Sequence, residues 1–303
     1  MGEVVDPGFE VPQEERQRMH AAIEEAGRFF RAELLRATGT WPVAFLKERG
    51  MDRVLAPGAS WKVGYAPDTY SRLTDYLQKR GFGFPTLVRA GLMGWTDDGA
   101  PIDQHRDHLM LLSRDQGLNP VGFVGINRDG QLRSLTPANA VHRPSNALVG
   151  LQEQIDLLHN GATPVIVDHP VDAMAIEQLS RSTEKEYVGI PLCESAMSTA
   201  QARLLRRLSE TDRVIVMVPT DKESRERAIG SALDLAFFFD RIRVLALPPD
   251  HGLAGQLHTP AGLQQLRAYL SLAKPLVGHR NGFNDIGTQH TSLGVEGVCP
   301  RFG

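Results

Sequence analysis

The second half of the chain alternates short apolar segments with amphipathic ones, and this alternation limits the fold more than any other feature of the sequence. The apolar segments predict strands at 164–168, 187–191, 213–218 and 242–247. The amphipathic segments predict helices at 148–160, 171–181, 198–210, 221–238 and 260–273. Strands that alternate with helices are joined by right-handed crossovers and form a mainly parallel sheet. We therefore predict an α/β lobe built on a parallel sheet.

The first half has a different pattern, which predicts helices followed by a small antiparallel sheet. Apolar residues at helical spacing predict helices at 13–37, 42–49 and 70–80. The buried face of the first helix is expected to contain Ile23, Phe29, Phe30, Leu34 and Leu35. Residues 86–135 are rich in turn signals, and the clearest strands there are 108–112 and 121–126.

These patterns divide the chain into four predicted segments. They are a tail and helix at 1–38, a lobe of helices and antiparallel strands at 39–160, a parallel-sheet lobe at 161–258, and a helix with an irregular tail at 259–303. The predicted fold class is therefore α/β, with an N-terminal helical and antiparallel lobe that precedes the parallel-sheet lobe.

Composition restricts the class of partner and the compartment. The net charge of -3 and the pI of about 6.4 argue against a whole-surface electrostatic grip on nucleic acid, although 33 Lys and Arg suffice for a local basic groove. Two cysteines, Cys193 and Cys299, are too few for a disulfide framework or a zinc ribbon, and they favour the cytoplasm. No apolar run approaches the roughly 20 residues of a membrane span, so we expect no membrane association.

Acidic residues follow two of the predicted strands. Asp168 ends one strand, Asp172 lies four residues later, and Asp221 follows another strand closely. In open α/β sheets, ligands bind beyond the carboxyl ends of the strands. The sequence thus predicts a site that contains these three acids. Asp221 alone is equally well explained as an acid that favours the start of a helix.

Eight segments carry a resemblance to a known family, in the family's own order, over about residues 20–257. They are RFFRAELLRATGTWPVAFLKERGM, WKVGYAPDTYSRLTDYLQKRGF, IDQHRDHLMLLSRDQGLNPVGFVG, LTPANAVHRPSNALVGL, PVIVDHPVDAMAI, VGIPLCESAMSTAQARLLRRL, VIVMVPTDKESRERAI and RVLALPPDHGLAGQL. Together they resemble the catalytic core of bacterial DnaG-type DNA primases, an RNA-polymerase core whose parallel-sheet part is a Toprim domain. The resemblance implies primer synthesis, a phosphoryl transfer that uses two divalent ions.

The resemblance implies which residues would bind Mg²⁺ or Mn²⁺. Asp168 stands where the family has Glu, Asp172 matches the acid four residues later, and Asp221 matches the second Asp of a DxD motif. These three are the candidate catalytic and metal-binding residues, with Asp250 as a further metal ligand.

Three other family acids have no counterpart here. Pro219 stands at the first Asp of the DxD motif, and Gly252 and Ala254 stand at two acids further along. The resemblance therefore implies a degenerate Toprim site, because three of six expected acids are missing.

The same resemblance implies a nucleic-acid or nucleotide surface in the N-terminal lobe. Arg106 is the remaining cation of an arginine-rich family segment, and His142 and Arg143 match a nucleotide-facing lysine region. In DQHRDH, the alternating Asp103, His105 and Asp107 fit either a replacement metal site or, as we expect, a solvated strand edge.

Three hypotheses of function follow. The first is a primase-core-like protein of DNA replication or mobile-element maintenance, which binds single-stranded template or nucleotides through a weakened site. The second is an active template-dependent primase with a reorganised acidic site. The third is a protein-interaction module without nucleic-acid binding. A helicase or another replication protein is the implied protein partner.

Overall fold

The computed structural model describes residues 11–134, 136–182, 186–247, 252–258 and 261–276. The helices of its first half are α1 (Gln13–Arg36), α2 (Trp41–Glu48), α3 (Arg72–Gln78) and α4 (Phe84–Arg89). Its strands are β1 (Gly64–Ala66), β2 (Met93–Trp95), β3 (Pro101–Asp103), β4 (His108–Arg114), β5 (Pro120–Ile126), β6 (Leu132–Ser134) and β7 (Leu148–Val149). The strand order β1-β4-β5-β6, with β7 also on β4, forms an antiparallel sheet, and β2 and β3 form a separate hairpin. The predicted antiparallel meander is thus confirmed.

The second half contains the parallel sheet that the alternating pattern predicts. Its helices are α5 (Ile155–His159), α6 (Pro170–Ser182), α7 (Thr199–Leu208), α8 (Lys222–Leu235) and α9 (Gly262–Ser271). Its strands are β8 (Thr163–Val167), β9 (Tyr187–Pro191), β10 (Arg213–Val218), β11 (Arg241–Ala246) and β12 (Lys274–Pro275). The order is β12-β11-β10-β8-β9, with the last four strands parallel and β12 antiparallel to β11. The α/β fold class is confirmed.

Helix α1 packs on the antiparallel sheet with one apolar face. Phe30 meets Phe123 of β5 edge to face at 5.3 Å. Gly64 lets β1 approach the helix closely, because a Cβ at this position would lie 2.5 Å from the Cβ of Phe30. Leu34 is buried as predicted, but Leu35 is exposed. The prediction for Leu35 was wrong because consecutive helical residues differ by about 100°, which turns Leu35 away from the sheet.

The prediction of a helix at 148–160 is also wrong for most of that segment. Only α5 is α-helical there, while Leu148–Val149 form β7, which pairs with the end of β4. Gly150 interrupts the segment with φ +80°, and a Cβ there would lie 2.3 Å from the Trp61 ring. The buried Gln154 amide then donates to the carbonyl oxygens of Gly150 and Gly189. These tertiary contacts outweigh the helical spacing of the apolar residues.

One of three clusters of buried apolar residues spans both halves. It joins Trp61 and Leu109 of the first half to Val165, Ile215 and Leu266 of the second. The predicted segment boundaries near 38, 160 and 258 therefore stay predictions. Among the described residues, none of the helices combines the length and the apolar character that a membrane crossing requires.

Candidate functional site

Strands β8 and β10 are direct neighbours, which brings the acid-bearing strand ends to one edge of the sheet. Ile215 of β10 pairs with Val165 of β8 in parallel register. Asp168 follows β8 directly, and Asp221 follows β10 by three residues. Helix α6 begins at Pro170, which places Asp172 in its first turn.

Both carboxylate oxygens of Asp168 have a partner in the protein. Oδ1 accepts the backbone N–H of Glu194 at 2.8 Å. Oδ2 lies 3.2 Å from Nη2 of Arg227, a residue of α8. The two side chains of this ion pair are 26% and 24% exposed, so water screens the pair only partly.

Asp172 is buried and binds the backbone of the loop at 252–254. Its Oδ1 accepts the backbone N–H groups of Leu253 at 2.6 Å and Ala254 at 3.0 Å. Burial raises the pKa of Asp172 to about 6, and the charge of Asp168 acts in the same direction, whereas the two N–H donors oppose it. Gly252 has φ +60°, and a Cβ on it would lie 2.6 Å from Oδ1 of Asp172.

Asp221 is the N-cap of α8. Its Oδ1 accepts the backbone N–H of Ser224 at 2.8 Å. That bond lowers the pKa of Asp221, and the charge of Arg227 contributes in the same direction. In the described part of the chain, no hydrogen bond or ion pair joins Asp221 to Asp168 or Asp172, and Asp250 lies outside that part.

These donors do not fit a centre of two divalent ions. Magnesium requires several oxygen ligands in near-octahedral geometry. Within residues 11–276, less the undescribed gaps, no group of three or more His, Cys, Asp or Glu side chains is placed to hold a metal ion. Asp168 and Asp172 instead bind backbone N–H groups and a guanidinium. The roles of Asp168, Asp172 and Asp221 in metal binding and catalysis stay predictions.

We call Asp168, Asp172 and Asp221 the acidic site. His169 connects this site to the antiparallel lobe. Its Nδ1 accepts the backbone N–H of Val171 at 3.1 Å, so its Nε2 is the nitrogen that donates to the carbonyl oxygen of Gly130, also at 3.1 Å. Burial lowers the pKa of His169. The neutral imidazole therefore bridges the start of α6 and the turn between β5 and β6.

The DQHRDH segment forms neither of the arrangements considered for it. Asp103 is buried, and its carboxylate accepts the backbone N–H groups of Leu73 and Thr74 at the start of α3, at 2.8 and 2.9 Å. His105 is buried against aromatic rings, which lowers its pKa to about 3. Asp107 accepts from the indole of Trp41 at 2.7 Å. Each side chain has a separate structural contact, so they do not form a metal site.

The predicted nucleic-acid residues have different environments. The guanidinium of Arg106 lies 5.1 Å from the ring centre of Tyr70. Arg143 is exposed, whereas His142 is buried, and burial lowers the pKa of His142. Neutral His142 brings no charge to a phosphate, whereas Arg106 and Arg143 do.

A cleft between α1 and α3 adjoins Tyr70, and sequence reasoning missed it. We call it the α1–α3 cleft; it has a volume of about 600 Å³. It is lined by Phe29, Ala32, Glu33, Arg36, Thr69, Tyr70, Ser71, Arg72, Asp75, Tyr76, Lys79 and Arg80. Buried Glu33 holds Arg36 and Arg72 at 2.8 and 3.0 Å. A usable signal was present in α3 and the residues after it, because Arg72, Tyr76 and Lys79 recur at the spacing of one helix face.

Comparison with known proteins identifies the relatives of this chain. Residues 29–152 match the family model of the DNA primase catalytic core, N-terminal domain. The DNA primase of Synechococcus elongatus is 26% identical over 263 residues, which are 84% of this chain and 37% of that protein. That of Mycolicibacterium smegmatis is 29% identical over 204 residues, 65% of this chain and 30% of that protein. The chain is related to the catalytic core of DnaG primases.

Solved structures of DnaG have the same fold. The RNA polymerase domain of Mycobacterium tuberculosis DnaG, in complex with double-stranded DNA, has a TM-score of 0.70 at 23% identity and covers 86% of this chain and 82% of that one. A DnaG catalytic domain bound to single-stranded DNA has a TM-score of 0.69 at 20% identity, with 87% and 84% covered. The resemblance to DnaG primases and their fold is thus confirmed. The chain spans roughly a third of the length of the curated primases it matches.

The DnaG family match divides the predicted site residues into two groups. Arg106, His142 and Arg143 lie within the matched residues, whereas Asp168 and Asp221 lie beyond them. The predicted roles in nucleic-acid binding and in metal binding are therefore separate hypotheses.

Proposed function

We propose that this relative of the DnaG core binds single-stranded nucleic acid through its N-terminal lobe and has a weakened or absent capacity for primer synthesis. The observation that carries the proposal is the exposed Tyr70 at the α1–α3 cleft, with Arg106 beside its ring. The corresponding cellular role is DNA replication or mobile-element maintenance, in the cytoplasm. In this proposal the parallel-sheet lobe is a degenerate Toprim domain.

The chemistry of the cleft fits a nucleotide strand. Tyr70 is 69% exposed, which is unusual for an aromatic side chain and leaves its ring face available to a base. Four basic and two acidic side chains line the cleft, although the whole chain has more acidic than basic residues. Arg36 and Arg72 are fixed by Glu33 yet keep 68% and 51% of their side chains exposed for a phosphate.

The support for weakened catalysis comes from the donors of the acidic site. Pro219, Gly252 and Ala254 bring no carboxylate, and Asp168 is already paired with Arg227. Loss of one charge-stabilising group from a preorganised site commonly costs about 100- to 1,000-fold in rate. Several losses together predict little phosphoryl transfer, with Mg²⁺ or with Mn²⁺.

Binding of a fluorescein-labelled single-stranded oligonucleotide, followed by anisotropy, tests the proposal. Tyr70→Ala is expected to weaken binding by about 10- to 100-fold, because stacking of a base on an aromatic ring contributes about 1–3 kcal/mol. Arg213→Ala is the matched control, since this exposed arginine begins β10, at the opposite sheet edge from the acids. Equal affinities for the three proteins would remove the cleft from the proposal.

The same samples distinguish the two other hypotheses. Template, labelled nucleotides and Mg²⁺ or Mn²⁺ are added, and primer synthesis is measured. Primers that disappear in Asp221→Ala would establish an active primase. Absence of both primers and strand binding would favour a protein-interaction module, with a helicase or another replication protein as the first partner to test.

A further inference from the structure

Arg227 reaches into the acidic site, unlike its charged neighbours on α8. Lys222, Arg225 and Glu226 are exposed, whereas the Arg227 side chain is largely buried. Side chains of a helix tilt toward its N-terminus. Because the N-terminus of α8 follows the carboxyl end of β10, Arg227 extends back over the strand ends and meets Asp168.

The guanidinium of Arg227 is held from two sides. Nη2 lies 3.2 Å from Oδ2 of Asp168 and donates to Oγ of Ser224 at 2.7 Å. Nη1 contacts Oε1 of Glu223 at 3.1 Å. The charge of Arg227 also acts on Asp221, the cap of the same helix. Arg227 therefore lies among the acids that would otherwise repel one another.

We propose that Arg227 supplies the positive charge that a divalent ion supplies in a carboxylate-lined metal site, and that it excludes such an ion from this one. Guanidinium N–H groups satisfy carboxylate oxygens by hydrogen bonds, as Arg227 does for Asp168. A guanidinium has no open coordination position, so it does not bind a triphosphate oxygen and an attacking hydroxyl as an ion does. The mismatch between these residues and a two-ion centre thus has a specific cause.

The Asp172 carboxylate also has donors from the protein, both on one oxygen. Two backbone N–H groups, from Leu253 and Ala254, donate to its Oδ1. Buried N–H donors that bind a carboxylate neutralise part of its charge without an ion. Asp168 and Asp172 therefore each accept at least one hydrogen bond from the protein.

Manganese binding by the full chain tests the inference, because free Mn²⁺ is counted directly by electron paramagnetic resonance. The wild-type protein is expected to show no saturable Mn²⁺ site that depends on Asp168. Arg227→Ala and Arg227→Gln are each expected to gain one such site, and the added substitution Asp168→Asn is expected to abolish it. Arg225→Ala is the control, because Arg225 lies on the same helix and is exposed.

Two results would overturn the inference. One is Mn²⁺ binding by the wild-type protein that disappears in Asp168→Asn. The other is folded Arg227 variants that gain no Mn²⁺ site.

Thermal unfolding provides a second measurement. Without Mn²⁺, the Tm of Arg227→Gln is expected to lie about 2–4 °C below that of the wild type. Mn²⁺ is expected to raise the Tm of Arg227→Gln and to leave the wild-type Tm unchanged. If neither Arg227 variant folds, a Mn²⁺-dependent rise in wild-type Tm that Asp168→Asn abolishes would contradict the inference, and its absence would support it. These measurements involve no nucleic acid, so their failure is distinct from failure of the proposed strand binding.

Discussion

The α1–α3 cleft and the acidic site both pair arginines with carboxylates, but the pairs leave different groups available. In the cleft, Glu33 is buried while Arg36 and Arg72 remain about half or more exposed. In the acidic site, Asp168 and Arg227 are each about three-quarters buried. In the cleft, fixed arginines are therefore accessible from solvent. In the acidic site, Asp168 and Arg227 instead pair with each other and are mostly shielded from solvent.

The same pairing of arginine with carboxylate can therefore have two different consequences within one fold. A buried acid that orients exposed cations prepares a surface for phosphate. A cation inserted among acids satisfies them and reduces their ability to bind an external ion. The region that matches the DnaG family model contains the first arrangement, and the second lies beyond that match.

The largest expected effect is on the acidic site, when an acid is introduced at Gly252. Gly252→Asp is expected to lower the free energy of unfolding by about 3–5 kcal/mol. Gly252 has φ +60°, and the added Cβ would meet the Asp172 carboxylate at 2.6 Å and bring a second negative charge to it. Urea denaturation measures the change.

Gly161→Asp separates backbone strain from this collision. Gly161 has φ +84°, lies in the same half of the chain, and a Cβ there would meet nothing within 4 Å. Its cost is expected to be about 1 kcal/mol, because Asp tolerates the left-handed region better than most residues. Equal costs for the two variants would show that Asp172 and the 252–254 loop are not packed as described.

The second prediction concerns pH and Asp172. Its pKa rises from 3.8 to about 6 on folding, so the buried carboxyl favours the folded state most below pH 4, and this contribution is lost as pH rises toward 6. The difference of about two pKa units corresponds to about 3 kcal/mol. Asp172→Asn retains an Oδ1 acceptor and has no titration, so its stability is expected to fall less than that of the wild type between pH 4 and 6.

The pH profile must be taken as a difference between the two proteins. Burial lowers the pKa of His169, so its contribution has the opposite sign: it is present above pH 6.5 and is lost as pH falls. Subtraction of the Asp172→Asn profile cancels that term and isolates Asp172. Parallel profiles from pH 4 to 6 would contradict the raised pKa.

Strands β8, β9 and β10 of the parallel sheet were predictable from the sequence because they are largely buried, which gives each a continuous apolar run. The strands Tyr187–Pro191 and Arg213–Val218 have the predicted bounds, and β8 and β11 are within a residue of theirs. Strand β12 was missed because two residues carry no periodic signal. Residues 148–154 were misassigned because their structure depends on Trp61 and Gln154, contacts that local spacing does not encode.

The acidic site was predictable in position but not in its contacts. The alternation predicted a parallel sheet, and the carboxyl ends of parallel strands meet at one edge, which is where Asp168 and Asp172 lie. That Arg227 turns inward while Arg225 does not depends on the rotation of α8 against the sheet. Tyr70 was missed for a similar reason, because the residue type alone does not show whether an aromatic side chain is buried or exposed.

A third prediction concerns how the cleft is positioned. Asp103→Asn is expected to lower the free energy of unfolding by about 2 kcal/mol, because the carboxylate binds two backbone N–H groups and the hydroxyl of Thr74 at the start of α3. The backbone N–H of Asp103 also donates to the carbonyl oxygen of Tyr70 at 2.5 Å. The affinity for a single-stranded oligonucleotide is expected to fall as well, since Tyr70 would be held less firmly. Unchanged affinity in the folded variant would show that the Tyr70 loop is positioned by other contacts.

The smallest expected effect separates Arg143 from the cleft. Arg143 is exposed and has no side-chain partner among the described residues, so Arg143→Ala removes a charge without leaving a buried acid unpaired. If its guanidinium contacts one phosphate, affinity for a single strand falls by about 2- to 5-fold, and the slope of log affinity against log salt decreases by about 0.7. Stability is expected to change by less than about 0.5 kcal/mol. An unchanged salt slope would place Arg143 outside the strand path and leave Arg106 as the cation that extends the cleft, because Arg106 is the one that adjoins Tyr70.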